Sequence, residues 1–198
     1  MIYFRSDYSL GAHPKVMQAL IDTNMEHTDG YAEDKYSFET ADMIREMIGK
    51  PDAHVHFMVG GTPTNTVTIA AALRPFEGVI SADSGHIYVH ETGSVEATGH
   101  RVFAAPTEDG KLRPADIEKV LLHHEDEHTV IPKMVYITHP TENGGVYTKA
   151  ELKALHDCCR EHDLYLYADG ARLGTALTWP GNDVTLKDMA DLTDAFYI

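Results

Sequence analysis

The chain has 198 residues, of which 43% are apolar and 24% charged, with a formal net charge of −15. That length and balance suit one domain with a substantial buried core and exclude a disordered chain. Such acidity repels a phosphate backbone, so nucleic acid is not an expected partner, although a local basic pocket could still hold a single phosphate. No apolar run approaches the length of a bilayer span. The N-terminal MIYFRSDYSLGAH has an early acid and no long apolar core, so neither a membrane segment nor a secretory signal is expected. Cys158 and Cys159 are adjacent, and helical neighbours point in different directions; they read as small apolar helix residues in a reducing, cytoplasmic compartment.

Taken in order, His13–His27 reads as a helix with Pro14 near its start and Val16, Met17, Leu20 and Ile21 on one side. Ser37–Ile48 is a second helix, closed by Gly49 and Pro51. His54–Val59 reads as a short strand running into Gly60-Gly61-Thr62, and Thr64–Leu73 as the helix after it. Gly78–Ala82 and Val102–Ala105 read as strands, then Pro114–His123 as a helix and Met134–Thr138 as a strand. Thr148–His162 is a helix that Thr148 and Glu151 can cap reciprocally. Leu164–Ala168 is a strand leading to Asp169-Gly170-Ala171-Arg172, and Ala195–Ile198 begins one more strand. Strands separated by helices imply crossovers. The expected fold is α/β, a mostly parallel sheet with helices on both faces, whose ligands bind beyond the carboxyl ends of the strands.

The residues just past each strand are therefore the candidates. Gly60, Gly61 and Thr62 open a helix, where close backbone approach and free N–H groups can cradle a phosphate; a plain βα turn is the competing reading, because neither G-x-G-x-x-G nor a P-loop lysine is present. Asp169 can pair with a protonated pyridine nitrogen or cap the following helix. Arg172 has the planar fork that suits a carboxylate or phosphate, or a surface ion pair. His86 can stack on a flat ring, move a proton at neutral pH, or be purely structural. Three separate post-strand loops each presenting a fitting group favour a common site. His54 and His56 share a strand face, and the HHEDEH stretch with His123, His124 and His128 reads as a solvated helix end and loop.

FRSD at Phe4–Asp7, DGYAEDKYS at Asp29–Ser37, GGTPTN at Gly60–Asn65, ADSGHIYVHETG at Ala82–Gly93, PTENGG at Pro140–Gly145 and YADGARLG at Tyr167–Gly174 resemble, in order, the threonine aldolase and β-eliminating lyase family. The resemblance implies an enzyme of the aspartate-aminotransferase fold type using pyridoxal 5'-phosphate. Residues 1–198 would form part of its large domain. It implies Gly60, Gly61 and Thr62 at the cofactor phosphate, His86 over the ring, Asp169 at the ring nitrogen, and Ser6 and Arg172 at the carboxylate of a small amino-acid substrate. It also places Tyr31 and His90 toward the site of a neighbouring subunit, hence a homo-oligomer, a dimer or tetramer. His86 and Asp169 are then the expected catalytic pair, with no metal.

There are departures from the family pattern. Where many aldolases carry N-T-H-N, this chain has Thr138-His139-Pro140-Thr141-Glu142-Asn143, which puts the role of His139 in doubt. The family's Schiff-base lysine follows the strand beginning at Ala195, so the resemblance implies a chain continuing past Ile198 to that lysine and a small C-terminal domain. The expected reaction is retro-aldol cleavage of a β-hydroxy-α-amino acid to glycine and an aldehyde. The alternatives are β-elimination or racemisation with the same cofactor, or a truncated non-catalytic paralogue.

Overall fold

The computed structural model describes residues 7–198. The chain divides into two compact units, residues 1–40 and 41–198. In the first, α1 (Pro14–Thr23) starts at Pro14, with the His13 Nδ1 accepting from the Lys15 N–H at 3.2 Å. None of its residues is buried, so Val16, Met17, Leu20 and Ile21 present an apolar stripe without cover among the described residues. Glu26 accepts from the Tyr36 hydroxyl at 2.7 Å and pairs with Lys35 at 3.0 Å. Helix α2 (Lys35–Ile48) begins in this unit and ends in the next.

The second unit holds α3 (Gly61–Ala72), β1 (Glu77–Ala82), α4 (His86–Val89), a 3-10 turn, β2 (Arg101–Ala105), α5 (Pro114–Leu122), β3 (Ile131–Thr138), α6 (Lys149–Glu161), β4 (Tyr165–Asp169), α7 (Leu173–Thr178), α8 (Leu186–Leu192) and β5 (Ala195–Phe196). The five strands lie in the order β2-β1-β3-β4-β5, and all pairings are parallel. The expected mostly parallel sheet is thus observed. Its order reverses between β1 and β3, the switch point at which open α/β sheets bind ligands beyond the carboxyl ends of their strands.

The alternation of strand side chains sorts the core into two layers. Ile80, Val135, Ile137, Leu166 and Ala168 face a cluster with Ile117 of α5, Leu152 and Leu155 of α6 and Met189 of α8. Val79, Met134, Tyr136 and Tyr167 face the other way, against Ile69 of α3 and Ile87 of α4. Both faces are covered, which explains strands that read as continuous apolar runs. Helix α6 carries the expected cap: the Thr148 hydroxyl accepts from the Glu151 N–H at 3.2 Å, and Glu151 accepts from the Thr148 N–H at 2.7 Å. At Gly78 a Cβ would lie 2.6 Å from the Arg101 carbonyl and from the Phe103 ring, so only glycine lets β1 and β2 approach there.

One expected strand is absent. Residues 54–59 belong to no ladder among the described residues, and Val59 is 95% exposed. Extended propensity needs an edge to pair with, and the edges of this sheet are β2 and β5. The rings of His54 and His56 still stack, 6.4 Å apart.

Candidate functional site

The site begins where β1 ends. Gly85 precedes α4, and a Cβ there would collide with the Ser81 hydroxyl; this tight turn delivers His86 at the first position of the helix. The His86 Nδ1 lies 2.8 Å from Oε1 of Glu91, a side chain with no exposed surface. Glu91 also accepts from the Asn65 Nδ2 at 2.7 Å and from the Ser94 hydroxyl at 2.8 Å. Burial works against a charged Glu91, yet the hydrogen bonds from His86, Asn65 and Ser94 hold its carboxyl below the usual carboxylate range. The bond to Glu91 in turn raises the His86 imidazole despite partial burial, and Glu142 and Asp169 add to the rise.

Asp169 closes β4 and is 4% exposed. By strand alternation it shares the face of Tyr167 and points toward α3. Its Oδ2 accepts from the Tyr136 hydroxyl at 2.5 Å and the Asn65 Nδ2 at 3.0 Å, and its Oδ1 from the Ala171 N–H at 3.0 Å. The Tyr167 hydroxyl holds the Asn65 Oδ1 at 2.8 Å. Burial first, then the Asp169 charge, drives the Tyr136 and Tyr197 phenols well above their usual range. Ring-nitrogen and carboxylate atoms of His86, Glu91 and Asp169 lie within 4.8 Å of one another. The Asn65 amide nitrogen occupies the space between the two carboxylates.

Helix α3 starts three residues earlier than the sequence suggested. Gly60 is extended backbone at the N-cap, and Pro63 is tolerated in the first turn because its N–H would be orphaned there anyway. Gly61 and Thr62 therefore sit within the turn whose N–H groups have no intrahelical acceptor. A Cβ on Gly61 would lie 2.8 Å from the Tyr197 hydroxyl. One turn further on, Asn65 ties this helix start to Asp169. Arg172 is exposed at the N-cap of α7, three residues past Asp169.

The structure thus brings together the start of α3, His86 and Asp169, the three features that sequence placed on separate loops. His90 is exposed, and its ring centroid lies 5.4 Å from that of His86 in the same chain. Tyr31 belongs to the first unit, fully exposed at φ 62°. Ser6 lies outside the described residues. His139 is wholly buried: its Nδ1 accepts from the Tyr147 N–H at 3.3 Å, and its Nε2 has no partner among the described residues. Of the HHEDEH histidines, His123 and His128 are exposed as expected, whereas His124 is half-buried with its ring 4.4 Å from that of Phe103.

Sequence reasoning missed Asn65, Glu91, Tyr136 and Tyr167. Strand alternation could have flagged the two tyrosines, which sit two residues or fewer from a strand end on one parity. Asn65, three residues beyond Thr62, faces the same side of the helix. Glu91 carries no local signal.

A match to the β-eliminating lyase family model runs over residues 3–198. The chain is 34% identical over 180 residues to the low-specificity L-threonine aldolase of Pseudomonas aeruginosa, covering 90% of this chain and 52% of that protein. An enzyme of the same description from a Pseudomonas species matches to the same extent. The structure of threonine aldolase from Leishmania major superposes with a TM-score of 0.97 at 52% identity, covering 98% of this chain and 56% of that one. The chain spans about half the length of the curated relatives it matches. A parallel sheet whose switch point gathers His86, Asp169 and the start of α3, together with a family match over nearly every residue, places this chain in the β-eliminating lyase family.

Proposed function

We propose that the full-length protein is a lyase that uses pyridoxal 5'-phosphate to cleave a threonine-like β-hydroxy-α-amino acid to glycine and an aldehyde. The observation that carries this reading is the gathering of a His86 ring nitrogen, a Glu91 carboxylate oxygen and an Asp169 carboxylate oxygen within 4.8 Å at the switch point of the sheet. The relatives named threonine aldolase support the bond to be broken.

The donor set fits the cofactor. A carboxylate offers about four acceptor positions. Tyr136, Asn65, Ala171 and Tyr197 all present donors to Asp169, so its carboxylate is held as an acceptor, the role a protonated ring nitrogen requires. The turn at Gly60, Gly61 and Thr62 offers backbone N–H groups and a hydroxyl to a phosphate, at the positive end of the α3 dipole. When bound, the cofactor serves as the electron sink for the bond cleavage.

The residues of the chain supply the rest. Asp169 holds the ring nitrogen, and His86 lies over the ring. Arg172 and Ser6 receive the substrate carboxylate; the guanidinium fork suits a bidentate grip. His86 exchanges the β-hydroxyl proton, directly or through a water, from the ring nitrogen that does not face Glu91. Tyr31 and His90 approach the site of an adjacent subunit in a homo-oligomer, and the bare apolar stripe of α1 supports such an assembly.

The test is an assay of the full-length protein with threonine, serine and alanine. Aldehyde release from threonine is expected, and His86→Phe is expected to reduce it by on the order of a hundredfold, the usual scale of a lost acid–base group. Undiminished cleavage by His86→Phe refutes the role of the imidazole. Turnover of serine or alanine without cleavage of threonine shifts the function to elimination or racemisation.

A further inference from the structure

The reading above counts Glu91 among the gathered groups but gives it no task of its own, although it is bonded to nearly everything around His86. Every neighbour within hydrogen-bond reach presents it with a donor: His86 Nδ1 at 2.8 Å, Asn65 Nδ2 at 2.7 Å and the Ser94 hydroxyl at 2.8 Å. A carboxylate accepts and cannot donate, so Nδ1 of His86 must carry a hydrogen. The other imidazole nitrogen, Nε2, is then the one that gains or loses a proton. Asn65 is fixed with equal force. Its Nδ2 faces two carboxylates, those of Glu91 and Asp169, and turning the amide over would set its oxygen against both. The Tyr167 hydroxyl closes the remaining side of the amide at 2.8 Å. An unbroken chain of hydrogen bonds therefore runs from His86 through Glu91 and Asn65 to Asp169.

We propose that Glu91 is a positioning residue: it sets the ring orientation and tautomer of His86 and, through the Asn65 amide, ties that ring to the Asp169 carboxylate as one rigid unit. The idea rests on the proposed function for what the ring does in catalysis, but not for how it is held. The logic is that of a buried carboxylate orienting an imidazole in other acid–base sites. Groups on several elements face His86: Glu91 and His90 beside α4, Glu142 in the loop after β3, and Asp169 at the end of β4. Among the described residues, only Glu91 touches the ring through a hydrogen bond.

The test uses the full-length protein with isotopically labelled histidine, and His86→Asn identifies the His86 signals. In the wild type the neutral His86 ring is expected as the Nδ1–H tautomer, with or without cofactor. Glu91→Gln retains an acceptor oxygen for His86 and Asn65, and its amide can donate to Ser94, so it removes the charge and keeps the shape. It is expected to lower the titration midpoint of His86 by about one unit, a tenfold change in proton affinity. The acid limb of the kcat profile should move with it, and kcat should fall tenfold or more with little change in KM. Glu91→Leu should lose the Nδ1–H tautomer. Glu91→Asp keeps the charge but withdraws it by one methylene, and should shift both midpoint and kcat in the same direction as Glu91→Gln; if the Gln and Leu variants fail to fold, this variant decides alone. An unchanged His86 midpoint in Glu91→Gln, or wild-type behaviour in Glu91→Asp, overturns the proposal. A wild-type protein that binds no cofactor or leaves threonine intact overturns the proposed function instead, while the tautomer measurement still reads the role of Glu91.

Discussion

His139 stores a dependence of stability on pH that can be worked through from its surroundings. The ring is wholly buried at the end of β3, with Nε2 unpartnered, and burial first, then the charge of Lys111, drives its pKa down to about 4. An unfolded histidine titrates near 6.5. Because the folded value is the lower one, the unfolded chain binds the proton more readily. Folding is therefore unpenalised above pH 6.5 and loses stability as pH falls toward 4. The loss from this one residue is about 2 kcal/mol at pH 5 and approaches about 3 kcal/mol below pH 4. His139→Asn keeps an acceptor at the Nδ1 position for the Tyr147 N–H and cannot take up the proton. Urea denaturation of both proteins at pH 7.5 and pH 5 separates this effect from the other titrating groups. The variant should be less destabilised by acid than the wild type, by about 2 kcal/mol. Parallel loss in the two proteins would show that the imidazole is accessible to water or finds a partner when charged, and the reasoning from burial would fail.

Two further outcomes follow from local chemistry. Burial pushes the thiols of Cys158 and Cys159 up to about 11 and about 12, so neither should react with an aromatic disulfide reagent at pH 8 in the native protein, and both should react in denaturant; a native thiol that titrates within minutes contradicts this. Thr148→Ala removes the reciprocal cap of α6 and should lower stability by about 1 kcal/mol in a denaturant titration, with the fold retained.

The sequence alone determined the alternation of most helices and strands, the parallel sheet that this alternation demands, and the positions of His86 just past β1 and of Asp169 at the end of β4. Those features are local: a period of two or 3.6, a proline or glycine at a boundary, a polar residue after an apolar run. The family resemblance added a cofactor and a reaction class, which periodicity does not encode. Even local reasoning failed where a partner was needed. Residues 54–59 have the propensity of a strand but meet no edge of the sheet.

Only the tertiary structure decided which side chains share the site. Asn65 and Asp169 are 104 positions apart in the chain, and Asn65 and Glu91 26 apart, yet single hydrogen bonds join both pairs. The same holds for the Tyr136 hydroxyl on Asp169, 33 positions away across the β3–β4 ladder. His139, whose role the sequence left in doubt, proved to be enclosed, whereas Glu91, unremarkable in the sequence, lies in hydrogen-bond contact with His86. Strand order and helix docking fix these contacts. Both arise from burial of apolar surface, which is non-directional and leaves no mark on the identity of residues distant in sequence.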